Sequence, residues 1–140
     1  MPASEQDPTA VIPHRPPILC IDRIVETGPE HAVTERVVRE GSDVDGGALW
    51  EEALVEGLAQ TAAVLNALAD REQGRRPGKG MLVGVRKFDV TRRARLGERI
   101  LFRVELIRRI APLTLMRGEA RCGDEVLARG ELKFYVEEEA

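Results

Sequence analysis

A long apolar segment and several alternating segments divide the chain into two kinds of predicted structure. Residues 49–69 are apolar at nearly every position, which is typical of a buried helix. Within the segment, Glu52, Glu56 and Gln60 recur at a spacing of four residues. Residues four apart lie on one face of a helix, so they form a narrow polar line. A buried carboxylate needs a partner or a proton, so Glu56 is the first candidate for a functional residue.

Segments on either side of the helix follow the two-residue period of β-strands. Before it, residues 18–25 and 31–38 are predicted to form a hairpin, and the glycine-rich stretch 41–47 is predicted to be a loop. After it, apolar and polar positions alternate in the predicted strands 81–90, 100–110, 113–121 and 126–136. This order indicates an α+β fold in which an antiparallel sheet wraps around the helix. We interpret residues 1–140 as a single domain, with residues 1–10 as a flexible N-terminal arm.

Composition and charge exclude several classes of function. The 21 basic and 24 acidic side chains are interleaved and give a net charge of -3, so we expect no nucleic-acid partner. The polar line interrupts the longest apolar segment, and no secretory signal is recognisable, so we expect a cytoplasmic protein without a membrane span. Cys20 and Cys122 form no CxxC pair and are interpreted as reduced core thiols. We expect neither a metal nor a cofactor.

Two motifs of the chain match the pattern of one known family. The first is the stretch Ile12-Pro-His-Arg-Pro-Pro-Ile-Leu-Cys-Ile-Asp-Arg-Ile24, and the second is Glu56-Gly-Leu-Ala-Gln60 in the predicted helix. They resemble the opening and the central helix, roughly Glu-Ala-Met-Ala-Gln, of the 3-hydroxyacyl-ACP dehydratases of type II fatty-acid synthesis. A weaker similarity covers residues 84–88 and 97–102. The resemblance implies the hotdog fold, in which an antiparallel sheet wraps around one long central helix.

The resemblance also implies a reaction and roles for particular residues. The family removes water from a 3-hydroxyacyl thioester, so the implied substrate is an acyl-ACP or an acyl-CoA. The general acid maps onto Glu56, and Gln60 would orient it. Gly46 and Gly47 precede the helix and are candidates for the backbone donors that hold the developing enolate oxygen. The small Gly57 would let the thioester or a second subunit approach the helix backbone closely.

The sequence departs from the family at the catalytic histidine. In the family this residue lies in a His-Phe-Pro-Gly-x-Pro loop before the helix, and the family's spacing from Glu56 reaches Ser42. The stretch 41–47 contains no histidine. The chain has only His14, in the Pro-His-Arg motif, and His31, in the predicted hairpin. In this respect the chain is similar to variant dehydratases of aryl-polyene clusters, which keep the helix motif and have lost the histidine loop.

Three functions therefore remain open. The first is a dehydratase-like protein of fatty-acid or polyketide-type synthesis, forming a homodimer, a heterodimer with a related dehydratase that supplies the histidine, or a higher oligomer. The second is a hotdog thioesterase in which Glu56 attacks the thioester or activates water, with Gly47 as an oxyanion donor. The third is a non-catalytic subunit that binds acyl groups.

Overall fold

A computed structural model describes residues 6–76, 78 and 80–137. The chain forms a short 3-10 helix, a long helix and a set of strands. In chain order the elements are the 3-10 helix Pro8–Ala10, β1 Arg23–Thr27, β2 His31–Val37, β3 Val44–Asp45, β4 Ala48–Leu49, α1 Glu51–Glu72, β5 Gly80–Val90, β6 Arg99–Ile110, β7 Leu113–Cys122 and β8 Glu125–Val136.

Six of the strands form one antiparallel sheet with the order β1-β2-β6-β7-β8-β5. Strands β3 and β4 form a separate hairpin immediately before the helix. Helix α1 packs against β2, β6, β7 and β5, so the sheet curves around one side of the helix. The predicted α+β architecture of one central helix and an antiparallel sheet is therefore confirmed.

The core lies between α1 and the inner face of the sheet. The helix contributes Leu54 and Leu58, and the sheet contributes Phe102 and Leu132, all of which are fully buried. Inner and outer positions alternate along β6 and β7, as the two-residue period predicts. No helix in the described part of the chain is long and apolar enough to cross a membrane.

The first predicted strand begins later than expected. Strand β1 starts at Arg23, whereas the sequence predicts a strand from Ile18. The amide of Ile18 donates to the carbonyl of Arg15 at 2.9 Å, which turns the chain, and the Ile18 side chain is 65% exposed. Residues 18–20 then run against α1 instead of pairing with β2, because a helix side chain takes their backbone hydrogen bonds.

The N-terminal region also differs from the expected flexible arm. Pro8–Ala10 form a 3-10 helix, and the backbone N–H of Thr9 donates to the Asp7 carboxylate that caps it. Pro8, Val11 and Ile12 are buried against the domain. Residues 1–5 lie outside the described residues. The apolar side chains that follow the 3-10 helix explain why this end of the predicted arm is folded.

The two ends of the sheet are edge strands, and β5 is the longer of them. Its side chains Met81, Val83 and Val85 are exposed. Two register shifts interrupt its pairing with β8, and Lys87, which lies in the second, has a φ of 51°. Such shifts are β-bulges, which bend an edge strand and limit uncontrolled pairing. A long edge strand with apolar side chains is a feature of surfaces that pair with another chain.

Candidate functional site

The polar line of α1 runs from solvent into the protein interior. Glu52 is exposed, Glu56 is half-buried, and Gln60 is 1% exposed. The sequence predicts a buried Glu56, and the structure corrects this to a half-buried carboxylate. Its position on the line leaves Glu56 reachable from outside while its neighbour Gln60 belongs to the core. This arrangement suits a group that must meet a substrate.

Gln60 is the fixed point of the site, because all of its amide hydrogen-bonding groups are used. The backbone N–H of Cys20 donates to its Oε1 at 2.7 Å. Its Nε2 donates to the carbonyl of Ile18 at 2.9 Å and to Oε1 of Glu56 at 2.9 Å. The two donors and one acceptor clamp residues 18–20 onto the helix and hold the Glu56 carboxylate in one orientation. The contact implied by the family resemblance is therefore present, and its catalytic role stays a prediction.

The Cys20 thiol lies among the charged groups of the site. Burial is the main cause that raises the pKa of this thiol above its usual value, and the Arg36 guanidinium opposes the effect. The carboxylates of Glu56 and Asp43 raise it further. Cys20 is a free, half-buried cysteine rather than a fully buried core thiol. The contacts behind these effects are the ion pair of Arg36 with Asp43 and the hydrogen bonds that join the Cys20 backbone to Gln60 and Gln60 to Glu56.

The predicted loop 41–47 is built as a β-hairpin. Gly46 and Gly47 form its two-residue turn with φ values of 62° and 78°, as a type I′ turn requires. Both glycines are exposed, and the helix begins later, with Trp50 at its N-cap. The helix dipole acts within the first turn, so it does not support Gly46 and Gly47 as oxyanion donors. The role of Gly46 and Gly47 as substrate-binding residues stays a prediction, and the helix dipole does not support it.

Arg93 fastens this hairpin to the rest of the protein. Its Nε donates to the carbonyl of Leu49 at 3.0 Å, and its Nη2 donates to the carbonyls of Asp45 and Ala48 at 2.8 and 2.7 Å. The guanidinium carbon lies 4.7 Å from the centre of the Trp50 ring, in a cation–π contact. The hairpin is therefore held firmly at the N-terminal end of the helix.

An ion pair lies beside the position at which the family carries its histidine. Asp43, next to Ser42, accepts from Arg36 with 2.7 Å between Nη2 and Oδ2, and these side chains are 31% and 12% exposed. Sequence reasoning missed Arg36. The signal was available in the alternation of β2, because Ala32, Thr34 and Arg36 occupy every second position and the first two are buried. An arginine at the next inward position of such a buried series is unusual, so the alternation indicates Arg36 as a candidate functional residue.

Neither histidine of the chain contacts the candidate acid. His31 Nε2 lies 2.8 Å from Oε2 of Glu26, in the β1–β2 hairpin. His14 is half-buried, and its Nδ1 has no hydrogen-bond partner among the described residues. Its neighbour Arg15 binds the backbone carbonyls of Thr9, Ile12 and His14. In the part of the chain that the structure describes, no hydrogen bond joins a histidine to Glu56.

Gly57 has a structural neighbour that the sequence could not identify. A Cβ atom at this position would meet the ring of Phe102, which is fully buried on β6. The close approach that the glycine permits is therefore that of a core ring, instead of a thioester or a second subunit. Among the described residues, no group of three or more His, Cys, Asp or Glu side chains is placed to hold a metal ion.

Solved structures with the same architecture identify the fold. A structure described as "The Dehydratase Heterocomplex ApeI:P from Xenorhabdus doucetiae" superposes with a TM-score of 0.87 at 21% identity, covering 95% of this chain and 92% of that one. A hypothetical thioesterase with coenzyme A from Streptococcus pneumoniae superposes with a TM-score of 0.68 at 11% identity, covering 81% and 84%. With its sheet around one central helix, the chain has the predicted hotdog fold.

Sequence comparison then defines the family. The family model described as ApeP-like, "ApeP dehydratase", matches residues 6–140, so the chain belongs to the ApeP-like dehydratase family. A relative named 3-hydroxyacyl-(acyl-carrier-protein) dehydratase FabZ, from Caldanaerobacter subterraneus subsp. tengcongensis, is 26% identical and covers 96% of this chain and 98% of its own. A protein of the same name from Thermoanaerobacter pseudethanolicus is 28% identical and covers 96% and 97%. The predicted kinship with these dehydratases is confirmed.

Proposed function

We propose that this chain is the acid-bearing subunit of a cytoplasmic dehydratase that acts on 3-hydroxyacyl thioesters of ACP or CoA, in fatty-acid or polyketide-type synthesis. A related subunit supplies the histidine that this chain lacks. The observation that carries the proposal is the contrast between the two sides of the site. Gln60 holds Glu56 in place at 2.9 Å, whereas the loop that should bear the histidine is a closed hairpin without one.

The reaction divides between the two subunits. The partner's histidine takes the proton next to the thioester carbonyl, and Glu56 protonates the hydroxyl that leaves as water. Gln60 donates to Oε1 of Glu56, so Oε2 is the oxygen that carries the proton toward the substrate. The products are a trans-2-enoyl thioester and water. The FabZ relatives support this substrate class, because their name describes a 3-hydroxyacyl-ACP dehydratase.

The assembly needs a surface on which the two subunits meet. Strand β5 is an edge strand with exposed Met81, Val83 and Val85, so it offers both unpaired backbone groups and apolar side chains. The solved ApeI:P structure from Xenorhabdus doucetiae is described as a dehydratase heterocomplex, which supports an assembly of two related chains. We therefore assign the edge of β5 to the partner subunit.

The test compares the purified chain with its assembly. The chain is measured alone and together with a histidine-bearing dehydratase homologue from the same cell, using an enoyl thioester and following its hydration. Alone it should be slower by a factor of about a hundred to ten thousand, the usual value of general-base assistance. Full hydratase activity of the chain alone would contradict the proposal. Release of a free thiol instead of hydration would identify a thioesterase, and binding of the acyl group without turnover in the assembly would identify a non-catalytic subunit.

A further inference from the structure

We propose that Arg36 is a further catalytic residue, whose Nη1 donates a hydrogen bond to the thioester carbonyl oxygen of the bound substrate. Arg36 lies outside both motifs that carry the family resemblance. The inference rests on the proposed function, because it places the substrate carbonyl beside Glu56. The inference concerns binding of the carbonyl oxygen by Arg36, whereas the proposed function concerns proton transfer by Glu56. Each can therefore be wrong while the other is right.

Arg36 points toward the helix side of the sheet. Thr34, two residues earlier on β2, is fully buried, and its Oγ1 lies 2.7 Å from Oγ1 of Thr61 on α1. Side chains two residues apart on a strand share a face, so Arg36 is directed to the same side. Its neighbour Glu35 points outward and pairs with Arg23 and Arg99. A guanidinium on the inner face of a sheet requires a compensating partner.

Only part of that compensation is present. Nη2 of Arg36 is paired with Asp43, whereas Nη1 is buried and has no hydrogen-bond partner among the described residues. A buried donor left unpaired costs about 1–3 kcal/mol. If Arg36 only held the loop through Asp43, nothing would compensate the free-energy cost of the unpaired Nη1. A donor that is kept unpaired inside a functional site is explained when a ligand supplies the acceptor.

The unpaired donor belongs to the same site as the proposed acid. The carbonyl of Asp43, the ion-pair partner of Arg36, accepts from the amide of Trp50 at 2.8 Å, and Trp50 is the N-cap of α1, the helix that carries Glu56. Nη1 is covered in the free protein. In this proposal a substrate oxygen reaches Nη1 when the residues around it move. Arg36 then faces the substrate from the sheet side, and Glu56 faces it from the helix side.

The chemistry of dehydration calls for such a donor. Removal of the proton next to the carbonyl places negative charge on the thioester oxygen, and that charge returns when the hydroxyl leaves. A guanidinium stays charged throughout the working pH range and donates without losing its proton. A donor aimed at a developing oxyanion in a site shielded from water typically contributes a factor of about a hundred to a thousand in kcat.

Infrared spectroscopy tests the contact without depending on turnover. Crotonyl-CoA labelled with carbon-13 at its carbonyl is bound to the full chain in its native assembly, and the carbonyl stretch is compared with that of the free thioester. Donation from Arg36 polarises the carbonyl, so the band should move to lower wavenumber in the wild type. In Arg36→Gln it should stay at the position of the free thioester. An unshifted band in the wild type, or the same shift in both proteins, overturns the inference.

Two control variants separate this role from a structural one. Asp43→Asn removes the ion pair and leaves Arg36 in place, so it should keep the carbonyl shift. Arg99→Gln removes an exposed arginine from the outer face and should also keep it. In the active assembly Arg36→Gln should lower kcat about a hundredfold to a thousandfold. Equal losses of the shift in Arg36→Gln and Asp43→Asn would assign Arg36 to loop structure. Absence of turnover in the wild type would sink the proposed function, and the infrared result would still decide the role of Arg36.

Discussion

One polar side chain holds each side of the site in place, and the two side chains differ in the groups that they bind. On the helix side, Gln60 makes hydrogen bonds to the backbone of residues 18 and 20, and its third hydrogen bond is to the Glu56 carboxylate. On the loop side, Arg93 clamps the β3–β4 hairpin through three carbonyls and finishes on the Trp50 ring. The first clamp positions a group that can carry a proton. The second holds backbone carbonyls and an aromatic ring, none of which transfers a proton.

This difference explains how the chain can lack a histidine in the 41–47 stretch and still keep an ordered site. The stretch in which the family resemblance places the histidine is a tight hairpin with glycines at its turn, and Arg93 is part of its support. The acid side is retained with its orienting amide. Under the proposed function the chain supplies one half of an acid–base reaction, and the following changes test that division.

Replacement of the candidate acid should have the largest effect. Glu56→Gln keeps the shape of the side chain and removes its acidic proton, so we expect the assembly to lose at least about a hundredfold in kcat. Glu52→Gln is the matched control, because Glu52 lies one turn earlier on the same line and is exposed. It should retain near-normal activity. Similar hydration rates for Glu56→Gln and Glu52→Gln would contradict a catalytic role of Glu56 and indicate a structural one.

A change of the helix clamp should affect both stability and activity. Gln60→Met keeps the volume and leaves the Cys20 amide and the Ile18 carbonyl without their partner, which lowers the free energy of unfolding by about 2–4 kcal/mol. Loss of the contact to Glu56 should lower kcat as well. Urea unfolding measures the first effect and hydration kinetics the second. Gln73→Met, at an exposed position after α1, should change neither.

A change of the loop clamp should affect stability alone. Arg93→Met removes three hydrogen bonds to hairpin carbonyls and the contact with Trp50, so we expect a loss of about 2 kcal/mol in urea unfolding. The kcat of the folded assembly should fall by less than about tenfold, because no proton is transferred on this side. A fall as deep as that of Glu56→Gln would mean that the hairpin takes part in the chemistry.

The smallest effect concerns the support behind the hairpin and depends on pH. The Arg92 guanidinium beside Glu98 lowers the pKa of that carboxyl to about 2 from its usual 4.5, through two hydrogen bonds. A depressed pKa stabilises the folded state above pH 4.5, and the stabilisation is lost as the pH falls toward 2. Glu98→Gln should therefore lower stability by about 2 kcal/mol at pH 7 and by much less at pH 2. Equal differences at both pH values would contradict this origin.

The general fold follows from short-range patterns in the sequence. The apolar segment around Glu56 predicts α1, and two-residue alternation predicts β5 to β8, because one face of each strand packs against the core. The exceptions depend on partners distant in sequence. Residues 18–20 have the composition of a strand, yet Gln60, forty positions away, takes their hydrogen bonds. The two-residue strands of the hairpin are too short to show a period and depend on Arg93.

The same distinction applies to the site. Glu56 and Gln60 are readable because a helix places residues four apart on one face. The need for a small residue at Gly57 is also readable, whereas its neighbour Phe102 comes from another strand. The sequence places Arg36 on the inward side of β2, but its ion pair with Asp43, seven residues later, is visible only in the structure.

A double-mutant cycle tests most directly whether Glu56 and the partner's histidine act in one shared site. The hydration rate of the assembly is measured with Glu56→Gln in this chain, with alanine in place of the partner's histidine, and with both changes together. Residues that act as a unit are strongly non-additive, so the double variant should be nearly as active as the slower single variant. Losses that multiply, or an unchanged rate with Glu56→Gln, would contradict a site shared between the two chains.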